Sequence, residues 1–555
     1  MLLRSVSVIV LSLLASALSF AADAPEIYPL KKLLLADSEA KATALAAEVS
    51  STGLVYAQEL PLYATAEFEA VVAPYAGRPI SIEMVNELIA AIMRYAGTHD
   101  YLIARVLVPQ GQRIDSGVLR LAVILGRYAD FAFQGNNRWF SQKLIRQRLG
   151  LKPGDEVRLS TLEEAVNWLN TNPFRQVKVL VNEVPNQPGK GQLVLNVQET
   201  LPLRAAFSFD DTGNDIIGKH HYAGLISYGN LWGQDHQASY NFITTDNPKV
   251  YQGHALEYRA PLPSRHFVQF TANYVRTNPT FAGGFFTQKG ENLSTDLRYT
   301  IPLRSGNQPR DLWFGVNFKE SNNNLAFGGT QLFNSKTDTF HVFGGYSMVS
   351  RDTRGAWLLA GTVNVSPGNI NSRNTTAALA ATRSGAHASY IYGTLSAQRL
   401  QALPHQWQVW WRANLQVSSH NLISGEQLLI GGANTVRGYE ENVFAGENGF
   451  VFDTDLMTPA LRKKIPFLPQ KAPPLETRLL AFLDMAKTEY KERFASDIIL
   501  ASIASTGVGI RSSLGNNFSL SFDYGWQLMH MPRQASQRKG PPLDSRGHIK
   551  VVLAF

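Results

Sequence analysis

Arg437 lies at the tip of a glycine-rich loop, in the most distinctive setting of any charged residue in this sequence. The loop reads Ile430-Gly431-Gly432-Ala433-Asn434-Thr435-Val436-Arg437-Gly438-Tyr439-Glu440-Glu441. A guanidinium group presents a planar fork of donors that can hold a carboxylate through two hydrogen bonds. The glycines Gly431, Gly432 and Gly438 permit the tight turns that such a tip needs. The same segment also fits a surface turn with a solvated arginine, and the loop residues alone do not decide between the two.

Catalytic and metal chemistry finds little support elsewhere in the chain. There is no cysteine, which excludes disulfides, thiolate metal ligands and a cysteine nucleophile. There is no Walker loop and no Gly-x-Ser-x-Gly elbow, and Gly507-Val508-Gly509 lacks the rest of a dinucleotide fingerprint. The pair His220-His221 has no ligand partners in the sequence, and the net charge of +8 is spread without a dense basic block. We therefore predict no enzyme, no catalytic or metal site, no cofactor and no nucleic-acid partner.

The first 21 residues have the features of an export signal. Arg4 supplies a positive charge, residues 6–18 are apolar, and Ser19-Phe20-Ala21 is a small-x-small cleavage pattern. We predict cleavage after Ala21 or Ala22, with an uncleaved membrane anchor as the alternative. No later segment reaches the ~18 apolar residues that a membrane helix needs. The exported protein is therefore either soluble or a β-barrel.

Two segments after the signal share the element order β-α-α-β-β. In residues 128–199, a strand at 128–134 precedes helices at 141–149 and 161–170, the latter capped by Ser160, and strands at 176–182 and 192–199. In the upstream segment, helices near 65–75 and 81–95 precede strands at 102–108 and 118–125. Its first strand is either 53–60, or 29–35 followed by an inserted helix at 37–49.

From about residue 203 the helical period gives way to alternation of apolar and polar residues. Phe518, Leu520, Phe522, Tyr524 and Trp526, for example, alternate with polar or small residues. Dyad segments of ~10 residues are typical of a transmembrane barrel with an apolar outer face and a polar lumen. We count sixteen strands, starting near residues 203, 220, 235, 251, 267, 290, 310, 340, 354, 388, 405, 449, 476, 505, 517 and 547.

Loop length separates the two rims of this predicted barrel. Short connections such as 231–234 and 350–354 alternate with long ones such as 320–339 and 419–448, as in outer-membrane barrels. An even strand count places both barrel ends, and the amino-terminal modules, on the periplasmic side. One connection, 458–475, breaks the rule, because it is long and rich in lysine and proline on the periplasmic rim.

The end of the chain also has the character of an outer-membrane strand. Ile549, Val551, Leu553 and Phe555 share one face of an alternating segment, and Phe555 is the last residue. A terminal aromatic residue resembles the signal by which outer-membrane proteins are recognised for assembly.

Together these features resemble the two-partner secretion transporters, the haemolysin secretion/activation family of the POTRA-plus-barrel outer-membrane superfamily. POTRA denotes polypeptide-transport-associated domains, which the two amino-terminal modules resemble. Besides the motif Val436-Arg437-Gly438-Tyr439, the matching stretches are residues 108–112, 149–154, 169–175 and 210–213. In that family the sixth outer loop folds into the lumen, and its arginine meets the aspartate of a Phe-x-Asp-x-Gly motif on the thirteenth strand.

For this chain the resemblance implies Phe482 and Asp484 as the lumen partners of Arg437. The alternation of the predicted thirteenth strand independently places Asp484 on the inward face, opposite Leu479 and Leu483. Ala486 stands where the motif has glycine, so this chain departs from the motif at that position. The predicted site comprises the loop motif Val436, Arg437, Gly438 and Tyr439, the hinge glycines Gly431 and Gly432, the partners Asp484 and Phe482, and the assembly signal Phe555.

The predicted fold class is two periplasmic α+β POTRA domains followed by a 16-stranded antiparallel transmembrane β-barrel. The predicted limits are a signal peptide at 1–21, a first POTRA domain at 26–127, a second at 128–199 and the barrel at 200–555. The first domain could also be 53–127 alone, with the helical segment 37–49 before it. An insertion in this domain is favoured over a plug helix, because few residues separate 49 from 53.

The predicted function is recognition and translocation of a large exoprotein of adhesin or haemolysin type to the cell surface. The client would carry an amino-terminal secretion domain, and the other partners would be outer-membrane lipid and the barrel-assembly machinery. We expect a monomer. The alternatives are an outer-membrane assembly factor of the same superfamily, which usually has more POTRA units, and a barrel-anchored enzyme.

Overall fold

The structure is a computed structural model that describes residues 28–46, 53–136, 138–185, 187–281, 286–305, 308–327, 330–466, 468–494, 501–530 and 543–555. The predicted signal peptide lies outside these ranges. The chain divides into two compact units, Met1–Thr200 and Leu201–Phe555. No helix in the described ranges combines the length and the apolar character needed to cross a membrane.

The amino-terminal unit begins with a four-stranded sheet. Its strand order is Val55–Ala57, Lys32–Ala36, Val118–Leu125 and Ala104–Leu107. Both candidate first strands therefore belong to the sheet, and they pair in parallel with Leu33 opposite Val55. The accompanying helices are Glu39–Ala44, Ala66–Val72 and Ile82–Thr98, with 3-10 turns at Pro61–Tyr63 and Ala73–Tyr75. The longest helix buries one apolar stripe, which explains its stability in this sheet-and-helix layer.

A three-stranded sheet forms the second half of this unit. Its order is Arg127–Gly135, Lys190–Glu199 and Arg175–Glu183, with helices Gln142–Leu149 and Leu159–Leu169. The prediction that Ser160 caps the second helix is wrong, because the helix begins at Leu159 and Ser160 lies inside its first turn. Asp100 from the preceding module satisfies the free amides instead: Ser160 N donates to Asp100 Oδ1 at 2.7 Å, and Leu159 N donates to the Asp100 carbonyl at 2.9 Å.

The two sheets of the amino-terminal unit are joined by more than this cap. Ile103, which precedes the strand Ala104–Leu107, is buried in the hydrophobic core of the second sheet beside Val157. Leu102 N donates to the Val157 carbonyl at 3.0 Å, and Val157 N donates to the Gly126 carbonyl at 2.8 Å. A Cβ on Gly126 would lie 2.4 Å from the Ile103 Cβ, so glycine is needed for this close approach. The two modules therefore fold as one packed unit.

We expect Asp100→Ala to loosen the helix Leu159–Leu169. Loss of a capping carboxylate costs about 1 kcal/mol, which corresponds to about fivefold faster amide exchange where local opening controls it. Hydrogen exchange measured by mass spectrometry on the full chain checks this in the first turn of the helix. Asp115→Ala is the matched control, since within the described ranges the Asp115 carboxylate accepts only from the neighbouring Ser116 amide. Unchanged exchange in the Asp100 variant would contradict the cross-module cap.

The second unit is a closed antiparallel barrel of sixteen strands, which confirms the predicted number. The strands are, in order, Leu203–Asp210, His221–Leu231, His236–Thr245, Tyr251–Pro261, Phe267–Thr277, Phe286–Ser305, Gln308–Phe327, Thr330–Arg351, Gly355–Ser366, Tyr390–Ala402, Gln408–Ser418, Asn448–Met457, Leu475–Glu489, Ala501–Leu514, Phe518–Gln527 and Ser545–Ala554. The first pairs with the last, from Ala206 opposite Ala554 to Asp210 opposite Lys550. Closure satisfies the backbone groups that lipid could not.

Short elements complete the second unit. They are strands Thr280–Phe281, Leu428–Ile430, Phe444–Gly446 and Leu461–Lys463, the helix Thr376–Thr382, and 3-10 turns at Pro404–Gln406 and Ser424–Glu426. The strand Leu461–Lys463 lies within the unusual periplasmic connection and pairs with the start of the thirteenth strand.

The faces of the thirteenth strand follow the predicted alternation. Leu479 and Leu483 are 47% and 38% exposed on the outer wall, where lipid would cover them. Leu480, Phe482 and Asp484 are buried on the inner face. The inner wall can therefore carry charge because the outer wall carries the apolar surface.

The prediction of a long loop at residues 320–339 is wrong. The seventh and eighth strands stay paired from Arg310 opposite Met348 to Phe327 opposite Thr330, so this stretch is a continuous hairpin. The segment contains Ser321 and Asn322-Asn323-Asn324 and lacks the apolar alternation that marks a lipid-facing strand. At the outer rim the two strands stay paired although their side chains no longer alternate between apolar and polar. The strands predicted from that alternation therefore ended too early.

Candidate functional site

The sixth connection on the outer rim, residues 419–447, forms a hairpin of its own. Its short strands Leu428–Ile430 and Phe444–Gly446 pair with each other. Gly431 and Gly432, with φ of 100° and 103°, begin the tip between them. A Cβ on Gly432 would meet the Glu441 carboxylate, which accepts a hydrogen bond from Ala433 N at 2.7 Å. Burial raises the pKa of Glu441 to about 7.

Arg437, at the tip of this loop, is held by three carboxylates of the inner barrel wall. Its Nε and Nη2 donate to the two oxygens of Asp484 at 2.8 and 2.7 Å, and its backbone N donates to Asp484 Oδ2 at 3.0 Å. Nη2 also donates to Asp455 Oδ1 at 2.7 Å, and Nη1 lies 3.5 Å from Asp523 Oδ1. The guanidinium Cζ lies 3.6 Å from the ring centroid of Phe482. Arg437 is only 3% exposed, so this is an interior contact and not a solvated turn.

Two further arginines balance the negative charge of the carboxylates around Arg437. Arg412 on the eleventh strand pairs with Asp453 and lies 3.3 Å from Asp455 through its Nη2. Arg511 on the fourteenth strand binds both oxygens of Asp523 at 2.9 Å. Each of these arginines thus contacts an aspartate that also lies near Arg437. Such a network matters because each buried charge needs an opposite partner.

The pKa of Arg437 reflects the same balance. Burial by itself lowers the pKa of this guanidinium, but the hydrogen bonds and charge of Asp484, together with the charges of Asp455 and Asp523, outweigh it. The pKa of Arg437 is held above its ordinary value, so the loop tip carries a permanent positive charge.

The residues beside Arg437 pack closely against the wall. Gly438, with φ of 89°, touches Gly525 of the fifteenth strand backbone to backbone, and a Cβ on Gly525 would lie 2.7 Å from Gly438 N. Gln527 Nε2 donates to the Gly438 carbonyl at 2.9 Å. The Tyr439 hydroxyl donates to the Ala504 carbonyl at 3.0 Å and also to that of Met529. The tip is therefore fixed by shape as well as by charge.

Ala486, the departure from the family motif, is part of the same packing. Its side chain is 3% exposed and belongs to a small hydrophobic cluster with Val436, Tyr439 and Ile503. The thirteenth strand pairs regularly on both sides at this position. The methyl group is thus accommodated without a break in the strand, and it adds apolar contact beneath the loop.

The stem of the loop is anchored on another part of the wall. Glu426 is buried, accepts from Lys319 Nζ on the seventh strand at 2.7 Å and from the Tyr392 hydroxyl on the tenth at 2.7 Å. Glu447, at the other end of the loop, is also buried and accepts from Gln427 Nε2 at 2.7 Å and from Lys491 N at 3.0 Å. The loop is therefore held by charge at its stem and at its tip.

The structure brings together most of the site residues named from the sequence. Arg437, Asp484 and Phe482 are in direct contact, and the remaining loop residues surround them. Phe555 lies apart, 78% exposed, with its backbone N and carbonyl paired to Ala205. Sequence reasoning missed Asp455, Asp523, Arg412, Arg511, Glu426 and Lys319. The alternation of their strands could have placed Asp455 and Asp523 on the inward face. Contacts between residues far apart in the chain produce no local sequence pattern, so the pairings themselves could not have been predicted.

Comparison with known proteins identifies the family. Residues 189–512 match the model of the haemolysin secretion/activation proteins ShlB/FhaC/HecB, and residues 55–126 match the ShlB-type POTRA domain. The chain belongs to the haemolysin secretion/activation family. As a member, it is an outer-membrane transporter of two-partner secretion, with its POTRA domains in the periplasm.

Individual relatives agree with this assignment. The chain is 22% identical over 396 residues to the outer membrane transporter CdiB of Dickeya dadantii, covering 70% of this chain and 68% of that protein. It is 20% identical over 412 residues to CdiB of Escherichia coli O6:K15:H31, covering 69% and 65%. The alignments thus span about two thirds of these relatives.

Two solved structures have the same fold. CdiB from Escherichia coli superposes with a TM-score of 0.72 at 16% identity, covering 100% of this chain and 94% of that one. CdiB from Acinetobacter baumannii gives a TM-score of 0.61 at 17% identity, covering 96% and 91%.

We expect Gly525→Ala to unseat the loop of this haemolysin secretion/activation protein without preventing barrel formation. The new methyl would collide with the Gly438 backbone, whereas Gly525 has no positive φ that would itself disfavour alanine. Trypsin cleavage after Arg437, detected by mass spectrometry on the folded protein, would rise from near zero because the buried arginine becomes accessible. Gly224→Ala is the matched control, since a Cβ there meets no atom within 4 Å. Equal protection of both variants would contradict the proposed close fit.

Proposed function

We propose that this transporter recognises one class of large exoprotein, of adhesin or haemolysin type, and that the loop carrying Arg437 must be seated on Asp484 for secretion. The observation that carries the proposal is the clamp itself, in which one buried guanidinium contacts Asp484, Asp455 and Asp523 inside the barrel. Membership of the haemolysin secretion/activation family supports a secreted protein as the cargo.

The energetics of the loop support a specific role for the clamp. Ordering a loop residue costs about 1 kcal/mol or more, and this loop spans residues 419–447. Such an ordering cost needs anchors, and a bidentate arginine–carboxylate contact gives direction as well as energy. Removing one partner of a buried pair typically costs about 3–5 kcal/mol, because the remaining charge is left uncompensated. Loss of Arg437 would leave the buried carboxylate of Asp484 without its arginine partner, while Asp455 would keep Arg412.

Recognition of the client is assigned to the POTRA modules. The second sheet has Arg127–Gly135 and Arg175–Glu183 at its two edges, and the first has Val55–Ala57 and Ala104–Leu107. An extended secretion signal could add as a strand at such an edge or bind in a helix groove. The client would then pass through the lumen largely unfolded, and its folding outside would supply the direction.

Several features remain predictions within this proposal. The domain limits are 26–127, 128–199 and 200–555, with the inclusion of Lys32–Ala36 in the first sheet supporting the earlier start. Phe555 acts as the assembly signal read by the barrel-assembly machinery. The transporter works as a monomer in outer-membrane lipid.

We expect Arg437→Ala to abolish secretion while the barrel still inserts in the outer membrane. Arg437→Lys should restore little, since an ammonium cannot reproduce the bidentate contact with Asp484. Secretion of the cognate client and heat-modifiable migration of the barrel are the two measurements. Arg276→Ala, at an exposed arginine of the fifth strand, is the control and should secrete normally. Normal export by the Arg437→Ala variant would overturn the role given to the clamp.

A double-mutant cycle tests the pairing itself. Arg437→Ala and Asp484→Ala should be strongly non-additive, because each single variant already breaks the same contact. Chymotryptic cleavage after the buried Tyr439 is the better readout, since secretion itself falls to background in the single variants and Arg437→Ala removes the one tryptic site of residues 419–447. Simple additivity of the two effects would show that Arg437 and Asp484 act independently.

A further inference from the structure

The connection between the twelfth and thirteenth strands is an outlier on the periplasmic rim. It spans residues 458–474, whereas the other connections on this rim are five residues or shorter. It contains Arg462, Lys463, Lys464 and Lys471, five prolines and no acidic residue. We call residues 458–474 the basic turn. Neither the loop clamp nor the POTRA modules explain this composition.

Strand pairing defines which way the basic turn faces. Leu461 lies opposite Thr477, and Lys463 lies opposite Leu475. Thr477 and Leu475 have the same parity as Leu479, which is 47% exposed on the lipid-facing wall. Leu461, 65% exposed, and Lys463 therefore continue the outer face of the barrel towards the periplasm.

Arg462 and the lysines of the basic turn have different surroundings. Arg462 has the opposite parity to Lys463 and pairs with Glu476 at 2.8 Å. Lys463, Lys464 and Lys471 are exposed. Lys463 thus presents its charge on the lipid-facing side, whereas the charge of Arg462 is paired with Glu476 of the neighbouring strand.

The depth of the basic turn matches the lipid head groups. Leu475 is four residues beyond Leu479, which corresponds to about 10 Å along the membrane normal for a tilted strand. Trp411 on the eleventh strand, which pairs with the twelfth, and Trp407 just before it are 38% and 37% exposed, and their aromatic rings mark the interface. The polar head-group layer is about 5–8 Å thick on each side of the hydrocarbon core. A lysine at this depth reaches phosphate groups, and its stem covers apolar surface.

We propose that the basic turn binds anionic phospholipid head groups of the periplasmic leaflet. The lysine ammonium groups would contact lipid phosphates, and Leu461 would enter the boundary of the acyl chains. An acidic protein segment is the less favourable occupant, because the outward face of Leu461 and Lys463 continues a surface that lipid covers. The prolines limit the freedom of the free turn, which lowers the entropy lost on binding.

This contact has a consequence for the barrel interior. The twelfth and thirteenth strands, which the basic turn joins, carry Asp455 and Asp484. Lipid bound at the turn would fix the depth of the wall on which the Arg437 loop sits. The inference does not require the secretion role of the loop, since lipid selectivity can be measured without a client.

Spin-labelled lipids test the proposal on the full chain reconstituted in phosphatidylcholine vesicles. Electron spin resonance gives the relative association of spin-labelled phosphatidylglycerol and phosphatidylcholine with the barrel. We expect phosphatidylglycerol to be preferred at low salt by about fivefold per contributing lysine, and the preference to fall as salt is raised. The variant Lys463→Gln with Lys464→Gln should lose most of it.

A charge-matched control distinguishes the basic turn from general attraction. Lys219→Gln with Lys249→Gln removes the same charge from the opposite, outer rim and should leave the preference intact. Equal selectivity of the wild type and the basic-turn variant would overturn the proposal. So would unchanged lipid selectivity with weaker binding of a soluble acidic client fragment in detergent, which would assign the turn to a protein partner.

Discussion

The buried guanidinium of Arg437 is the interaction on which the interior of this barrel depends. A closed strand wall can hold charge on its inner face only if each buried charge is compensated. Asp484 is compensated by a residue that the wall itself does not contain, because Arg437 arrives on a loop from the outer rim, whereas Asp455 contacts both Arg437 and Arg412 of the wall. The wall is therefore electrostatically incomplete without the loop, and the loop has no fixed tip without the wall.

Shape makes this charge pairing specific. Gly438 approaches Gly525 so closely that neither position tolerates a Cβ without movement, and Gly507 leaves room for the ring of Phe482. Phe482 in turn lies beneath the guanidinium at 3.6 Å. A lysine or a displaced arginine could find a carboxylate in this cluster, but only the observed backbone position allows two parallel hydrogen bonds to one of them. The glycines on the strands and on the loop thus determine which of the neighbouring carboxylates Arg437 binds through two hydrogen bonds.

The sequence was most informative where the alternation of apolar and polar residues also determines which side chains face the lumen. Alternation in the thirteenth strand was sufficient to place Asp484 inside, and sixteen dyad segments were countable because lipid requires an apolar outer face. The hairpin beyond Glu320 was missed because strand pairing at the rim needs no apolar face. Asp100 was missed as a helix cap, since the local candidate Ser160 offered a closer explanation. Glu426 with Lys319 could not be predicted, because the two are brought together only by closure of the barrel.

Contacts made mainly by charged groups also lower the free energy that releasing the loop from the wall would cost. If the tip were bound mainly by apolar side chains, its release into a wet lumen would expose that surface to water. Release of Arg437 instead exchanges carboxylate contacts for hydration, and water can compensate both partners once the lumen opens. The apolar part of the seat is small and centred on Val436, Tyr439 and Ala486. The ion cluster therefore gives strong orientation while the loop is docked, and a lower penalty than a hydrophobic plug once it is displaced.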